Sequence, residues 1–290
     1  VSDRRHHRNR HGIPSKVQGL AITMQPPPNR DARMSDSQPS TVFNFDGDDP
    51  EMLEAYEKAR ATFRYLWREL TWEYRRIIPA LGASAVKAPF SDGPPRGKAK
   101  PVVEQMWFGD VFFDGRLVSG TLLNTPNKLR SVRAGDRVSR PLSEISDWLF
   151  SYGDEPFGGF TVGVMRSRMS PRERQSHDAA WGMKFGDPAN VRVLPDSQSE
   201  DEEHPMSENM GPSLKEHLKK DPTGLLSPDE NGWTTLHSMA LGGSYAAVKI
   251  LLEFGADPNA PTGNGMTPLQ LARCLGWEKV AALLLKHGAK

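Results

Sequence analysis

Apolar residues recur at steps of three or four from Met52 through Tyr56, Ala59, Phe63, Leu66, Leu70 and Tyr74 to Ile77. Residues at that spacing share one face of a helix, which turns once every ~3.6 residues. Glu54, Glu57, Lys58 and Arg64 fall off the stripe. Asp49-Pro50-Glu51 supplies a start: a capping carboxylate, a proline suited to the first helical position, and an acid at the positive end of the dipole. Pro79 and Gly82 supply a stop. The pattern predicts a long helix over residues 50–78. Trp67, Trp72 and Ile78 widen its apolar face, which favours packing on a sheet over display to a partner.

The period then changes. Ala85–Phe90 reads as a short strand, and residues 91–100 as a Gly/Pro/Lys loop. Val102–Phe113 and Arg116–Asn124 flank Asp114-Gly115, a two-residue turn that accepts positive φ, and so predict a hairpin. Counting out from that turn pairs Phe112 with Leu117 and Trp107 with Leu122, and sets Gly109 opposite Gly120, where the chain must bend or approach closely. Apolar groups on both faces imply cover on both sides. Arg137–Arg140 is a further short strand, and Phe160–Met165 alternates like another. Ser170-Pro171-Arg172-Glu173 is a capping box opening a helix of about two turns. Residues 187–212 are polar and acidic and read as a linker. A second capping box, Ser213-Leu214-Lys215-Glu216, starts a helix that Asp221-Pro222 must end. Beyond it the pattern copies itself at an interval of 33 residues, from Gly232 to Gly265, Leu236 to Leu269, Gly243 to Gly276 and Gly255 to Gly288. Units repeated at this length stack on one another and present a binding surface.

Composition narrows the picture. The chain has 290 residues, with 37 Lys and Arg against 36 Asp and Glu. That length holds about two domains, and that balance gives no general reason to expect nucleic acid. The charge is uneven, however: residues 1–33 hold seven Lys or Arg and two Asp. Either translation starts at Met24 or Met34, or this is a basic arm for nucleic acid or acidic lipid. No aromatic is interleaved to stack on bases, so a nucleic-acid partner is not expected. Residues 1–40, with Pro26-Pro27-Pro28, read as a disordered basic tail. No apolar run approaches the ~20 residues that span a bilayer, so no membrane segment is expected. The single Cys274 excludes an internal disulfide and a cysteine-based zinc site, and fits a reducing cytoplasm. Its place between Leu271 and Leu275 suits a small buried thiol. No cofactor or metal is expected, and no GxGxxG, phosphate-loop, HExxH or G-x-S-x-G pattern is present.

Asp229-Glu230-Asn231-Gly232-Trp233-Thr234-Thr235-Leu236-His237 resembles the opening of an ankyrin repeat, with Thr235 in place of proline. Leu251-Leu252-Glu253-Phe254-Gly255-Ala256-Asp257-Pro258-Asn259-Ala260 resembles its closure, and Thr267-Pro268-Leu269-Gln270 opens a second copy. The resemblance covers about residues 213–290: a degenerate cap and two copies, a short stack that would lean on its neighbour. It implies that Thr234 and Thr267 cap helices, that Gly255 and Gly288 turn the chain, and that His237 ties loops together and is not a metal ligand or base. It also sets Trp233 and Met266 at the hairpin tips. With Glu230, Asn231 and Asn264 they form a candidate partner surface; the competing reading packs Trp233 on the middle domain.

In the middle, Met106-Trp107, Asn124-Thr125-Pro126, Ala134-Gly135-Asp136-Arg137-Val138, Ile145-Ser146-Asp147-Trp148, Gly159-Phe160-Thr161-Val162 and Met169-Ser170-Pro171 follow in order. Over about residues 85–175 they resemble the YegJ-like bacterial family of unknown function. This implies a small α+β fold in a bacterial cytosol and supplies no substrate or catalytic residue. Asp147 and Trp148, with Trp107 and Asn124, are a candidate pocket; alternatively Asp147 caps a turn and Trp148 fills the core. Glu104 and Asp147 could form a carboxylate pair for acid/base work. Arg130, Arg133, Arg137 and Arg140 form a basic cluster that either meets an acidic partner or lies solvated.

The expectation is an α+β chain. A long N-terminal helix packs on a small twisted antiparallel sheet, followed by a short all-α ankyrin stack. Its parts are a tail at 1–40, a domain at 41–186, a linker at 187–212 and repeats at 213–290. The expected function is non-enzymatic: the stack recognises a protein partner in the cytoplasm. One concrete version is an immunity-type protein that blocks a toxin. The rival is an enzyme or small-ligand sensor centred on Asp147, Trp148 and Asn124.

Overall fold

The computed structural model describes residues 49–93 and 101–290. The expected tail at 1–40 and most of the loop at 91–100 lie outside the described residues. Helix α1 runs over Pro50–Glu73. Asp49 caps it, its carboxylate accepting from the amides of Glu51 at 3.1 Å and Met52 at 3.4 Å. The helix stops short of residue 78 because Glu73 reaches forward and accepts from the amides of Ala80 and Leu81, at 3.0 and 3.2 Å. The chain thus turns before Ile77 and Ile78, which are 97% and 80% exposed and do not widen the packed face.

Strands β1 (Leu81–Phe90), β2 (Glu104–Phe113), β3 (Leu117–Leu122), β4 (Arg137–Pro141), β5 (Asp147–Tyr152) and β6 (Glu155–Gly158) form one antiparallel sheet in the order β4-β3-β2-β1-β5-β6. Cross-strand partners Leu122, Phe108, Val86 and Trp148 are all buried in one row. That row faces α1, since Trp148 Nε1 donates to the Ala59 carbonyl at 2.9 Å. Phe63 and Trp67 of α1 meet Phe113 edge-on. The long helix therefore packs on the sheet as its stripe requires.

Two readings at the residue level are corrected. The hairpin turn is centred on Gly115-Arg116, one place beyond Asp114-Gly115. Asp114 Oδ1 accepts from the amides of Arg116 and Leu117, at 2.8 and 2.7 Å, and holds the turn there. A bulge between Gly109 and Phe112 shifts the register again, so Phe113 faces Val118 and Phe108 faces Leu122. Asp110 in the bulge takes φ 49°, a left-handed backbone that costs an ordinary residue about 1 kcal/mol. Gly120 still needs to be glycine, because a Cβ there would lie 2.3 Å from the Gly109 carbonyl oxygen. The second correction is Phe160–Met165, which is not a strand: α2 covers Phe160–Ser167. Local β propensity is overridden there by a cap supplied from β5, described below.

Helix α3 (Pro171–Trp181) opens on the Ser170–Glu173 capping box. The region expected as a linker is an ordered strap that includes α4 (Pro205–Asn209). Helix α5 (Gly211–Lys220) starts before Ser213 and has Met210 as its N-cap, so the Ser213 box is not its start. Then come α6 (Thr223–Leu226), α7 (Thr235–Leu241), α8 (Tyr245–Glu253), α9 (Pro268–Cys274) and α10 (Glu278–Lys286). Thr234 and Thr267 cap α7 and α9, and Gly255 and Gly288 sit at φ 89° and 90°.

The stack docks on the side of α1 that faces away from the sheet. Arg64 donates to the Gly276 carbonyl at 3.5 Å and lies over the Trp277 ring. A Cβ on Gly242 would meet Thr71 Cγ2 at 2.5 Å, so α1 and the end of α7 touch backbone to side chain. Helix α1 is the middle layer of a three-layer molecule.

Candidate functional site

Three places gather the residues that could carry function. The first is the outer row of the sheet, where Leu123, Trp107, Lys87 and Asp147 follow one another across neighbouring strands. Asp147 is fully buried. Its Oδ1 accepts from the amides of Trp148 (2.9 Å) and Phe160 (3.0 Å), and its Oδ2 from the Thr161 amide (2.8 Å) and hydroxyl. The carboxylate of β5 is therefore the N-terminal cap of α2, whose own N-cap, Gly159, has no side chain to offer. Lys87 Nζ donates to the Thr161 hydroxyl at 3.1 Å, which relays its charge to Asp147. Burial pushes the Asp147 carboxyl up, against the opposing pull of Lys87 and the donors. Burial likewise pushes Lys87 down.

This occupation settles where the predicted pocket residues stand. Trp148 is a fully buried core side chain, not a pocket wall. Asn124 Oδ1 accepts from the Trp107 amide at 2.7 Å and extends the hairpin ladder. Trp107 is half-buried, with Lys87 on its face and Trp181 at its edge. Glu104 turns to the Asn127 and Leu129 amides, at 2.8 and 3.1 Å, while Asp147 caps α2, so each carboxylate is committed to backbone. A surface concavity of 640 Å³ lies along α3 beside Arg174, Asp178 and Lys184, and none of the predicted residues lines it. Lys87 and Thr161 escaped the sequence reading because nothing local links three segments so far apart in the chain.

The second place is the row of ankyrin loop tips. Trp233 and Met266 are only 8% and 9% exposed, which corrects their expected display. Trp233 packs edge-on to Phe112 of the hairpin, with ring centroids 6.2 Å apart. Met266 and Leu271 press on Gly115, where a Cβ would lie 2.4 Å from Leu271 Cδ2. Asn264 Nδ2 reaches the Asp114 carboxylate at 3.3 Å. Glu230, Asn231 and Asn264 remain exposed. His237 ties loops, its Nε2 meeting the Ala260 carbonyl at 2.8 Å and its Nδ1 accepting from the Thr234 amide. Burial lowers its pKa. Cys274 is exposed at the end of α9, not in the buried place expected for it, and its thiol donates to the Leu271 carbonyl at 3.1 Å.

The third place is the junction between α1 and the strap. Arg68, fully buried, donates to the carbonyls of Ser199 (3.2 Å) and Glu202 (2.7 Å) and to Gln198 Oε1 (2.6 Å). Beside it Glu69 accepts from the Tyr152 hydroxyl at 2.6 Å and meets His204 Nε2 at 3.1 Å, while His204 stacks on Trp72. Burial raises the Glu69 carboxyl, but its bonds to His204 and Tyr152 and the nearby Arg68 outweigh that and hold it low. Glu203 accepts from the Ala246 amide at 2.9 Å, at the start of α8. Of the strap's acids, Glu203 and Glu200 turn back to the molecule, Glu200 accepting from the Tyr65 hydroxyl at 2.9 Å, while the side chains of Asp201 and Glu202 are exposed. One signal was available: Arg68, Glu69 and Trp72 together give α1 a second face off its main stripe. Among the described residues no group of three His, Cys, Asp or Glu side chains is placed to hold a metal ion.

Comparison with known proteins assigns the parts. Residues 49–185 match a bacterial family described as uncharacterized protein conserved in bacteria (DUF2314), and residues 206–290 match ankyrin repeats. A Neisseria meningitidis serogroup B protein named for its ankyrin repeats is 40% identical over 248 residues, covering 84% of this chain and 97% of that protein. The Escherichia coli protein YegJ, itself uncharacterized, is 32% identical over 78 residues, 27% of this chain and 46% of YegJ. Among solved structures, the human ASB11 ankyrin repeat domain shares 34% identity over 30% of this chain and 41% of its own, with a TM-score of 0.24. An ankyrin repeat domain from Acinetobacter baumannii shares 31% identity over 28% of this chain, with a TM-score of 0.23.

Proposed function

The chain belongs to the family of that meningococcal protein, a DUF2314 domain followed by ankyrin repeats, and on that premise we propose that it is a non-catalytic protein-binding protein of the cytoplasm. Ankyrin repeats are a protein-interaction module. In this reading the stack and the DUF2314 domain meet a protein partner as one docked unit. The partner contacts the exposed tips Glu230, Asn231 and Asn264 together with the neighbouring hairpin turn. Trp233 and Met266 serve as anchors beneath that surface.

The observation that carries the reading is the bond from Asn264 to Asp114, which joins the exposed tips of the stack to the tip of the hairpin in one edge. The rival enzymatic reading loses its best candidate, because the hydrogen-bonding capacity of Asp147 is spent on capping α2. The cytoplasmic setting rests on the single Cys274 and on the absence, among the described residues, of any helix long and apolar enough to cross a membrane.

The test is affinity capture with the full chain, using wild type and a Glu230→Arg, Asn231→Ala, Asn264→Ala triple variant. These positions are exposed, so the triple variant should melt like wild type. It should lose the partners that wild type retains. Retention of every partner would discard the tip surface.

A further inference from the structure

The outer face of the sheet is covered on one half only. Over β5, Gly159 lies between Leu149 and Phe185, and Trp181 meets Trp107 edge-on. Along β3 the face is open, whereas Trp107 and Phe112 of β2 are half-covered by Trp181 and Trp233. Leu117 and Leu123 are each 41% exposed, and Val103, just before β2, is 52% exposed. Leu123 is the direct cross-strand neighbour of Trp107, its amide donating to the Trp107 carbonyl at 2.9 Å. The expectation of cover on both sides of the hairpin fails here: Leu117 and Leu123 stand exposed at the two ends of the outer row of β3, with Ser119 and Thr121 between them.

Cations lie on this row and in the segments that flank it. Arg116 precedes Leu117, Arg130 and Arg133 lie in the loop after Leu123, and Arg137 sits opposite Thr121 and donates to its hydroxyl at 3.3 Å. All four are exposed, and among the described residues none of them makes an ion pair. The carboxylates nearby point elsewhere: Asp92 accepts from the amides of Arg130 and Ser131, Asp136 from the amide of Arg133, and Glu104 from those of Asn127 and Leu129. The loop is thus folded by its acids through backbone, which leaves its guanidinium groups free to meet charge from outside.

We propose that this open face is a second binding surface, and that it takes an amphipathic helix with an acidic edge from a partner protein. Leu117, Leu123 and Val103 would receive the helix's apolar side and the four arginines its acidic flank. A strand added to the sheet edge is a poorer fit. Of the outward-facing groups on β4, Pro141 has no N–H and the Ser139 carbonyl already accepts from Arg140 at 2.8 Å. Nucleic acid is a poorer fit too, since the ring of Trp107 is occupied by Lys87 on its face and Trp181 at its edge. The two surfaces share Arg116 of the hairpin turn, and the variants tested below, at Leu123, Val103, Arg133 and Arg137, leave that turn untouched, so this inference and the function proposed above can fail separately.

The test uses the full chain and two synthetic helical peptides of about five turns. They share a Leu/Ala face and differ in flank, Glu in one and Lys in the other, and binding is read by fluorescence anisotropy. The Glu-flanked peptide should bind at least about tenfold more tightly than the Lys-flanked one, and lose affinity as salt rises. Leu123→Glu and the pair Arg133→Glu, Arg137→Glu should each weaken it at least about tenfold, with Val103→Glu as a second exposed probe should Leu123→Glu perturb the fold. The triple variant at Glu230, Asn231 and Asn264 should bind the peptide like wild type. Equal binding of both peptides, binding of neither, or indifference to Leu123→Glu and Val103→Glu would overturn the proposal. So would tighter capture of anionic vesicles or an oligonucleotide that needs the arginines but not Leu123.

Discussion

Asp147 and Glu69 are both carboxylates sealed from water, yet they hold different things together. Asp147 joins β5 to the start of α2 inside one domain, and its partners are mostly backbone amides. Glu69 joins α1 to β5 and the strap through Tyr152 and His204, at the junction where the ankyrin stack docks. Their pKa values move in opposite directions, up for Asp147 and down for Glu69. The first centre makes a domain; the second fastens two domains to each other. Loss of the first should therefore cost fold, and loss of the second should cost docking.

The largest effect is expected from Asp147→Ala. It uncaps α2 and leaves the amides of Trp148, Phe160 and Thr161 without their buried acceptor, a loss of about 3 kcal/mol. Urea denaturation should show it as an earlier midpoint of the sheet domain. A variant as stable as wild type would show that Asp147 is not the cap described here. Next comes Arg68→Met, which leaves three strap acceptors unfilled and should cost about 3 kcal/mol. Hydrogen exchange should rise in the strap, α7 and α9 while the β1, β2 and β5 amides stay protected. Uniform loss of protection would erase the distinction between the two centres.

Trp233→Ala removes the aromatic contact with Phe112 and should cost about 2 kcal/mol. It should also loosen the stack before the sheet, which near-ultraviolet dichroism with exchange data can separate. The smallest effect is the response to acid. The folded pKa of Glu69 is lowered, so its contribution is complete above the unfolded value of about 4.3 and is lost as pH falls through the folded value. The folded pKa of Asp147 is raised, so its charge is penalised at neutral pH and that penalty eases as pH falls toward about 3.9. Glu69→Gln should flatten the acid loss of stability, and Asp147→Asn should steepen it. Identical pH profiles would show that the two carboxylates are not opposed.

How much of this was legible in the chain depended on where each signal lies. The ankyrin caps at Thr234 and Thr267 and the turns at Gly255 and Gly288 came through because each repeat is specified within a few residues of itself. The capping boxes divided: Ser170 opens α3, whereas Ser213 is overtaken by a helix already begun at Gly211. Phe160–Met165 misled because its β-branched pattern is real but its cap comes from Asp147, far away in the chain. The hairpin was visible and its register was not, since one carboxylate at Asp114 and one bulge at Asp110 are each enough to slide it.

The candidate surfaces follow the same logic. Residue type marked Trp233 as an anchor, and no property of the type says whether the anchor is offered outward or spent on Phe112. Periodicity, caps and the 33-residue repeat are local or self-similar, so the sequence alone determined the long helix, the repeats and the α+β character. Which acids cap which helices, which face of the hairpin stays open, and how the stack sits on α1 were decided only by the tertiary structure. Those choices are made by contacts between distant segments: a buried charge must find a donor wherever the fold brings one, and a surface is what packing leaves over.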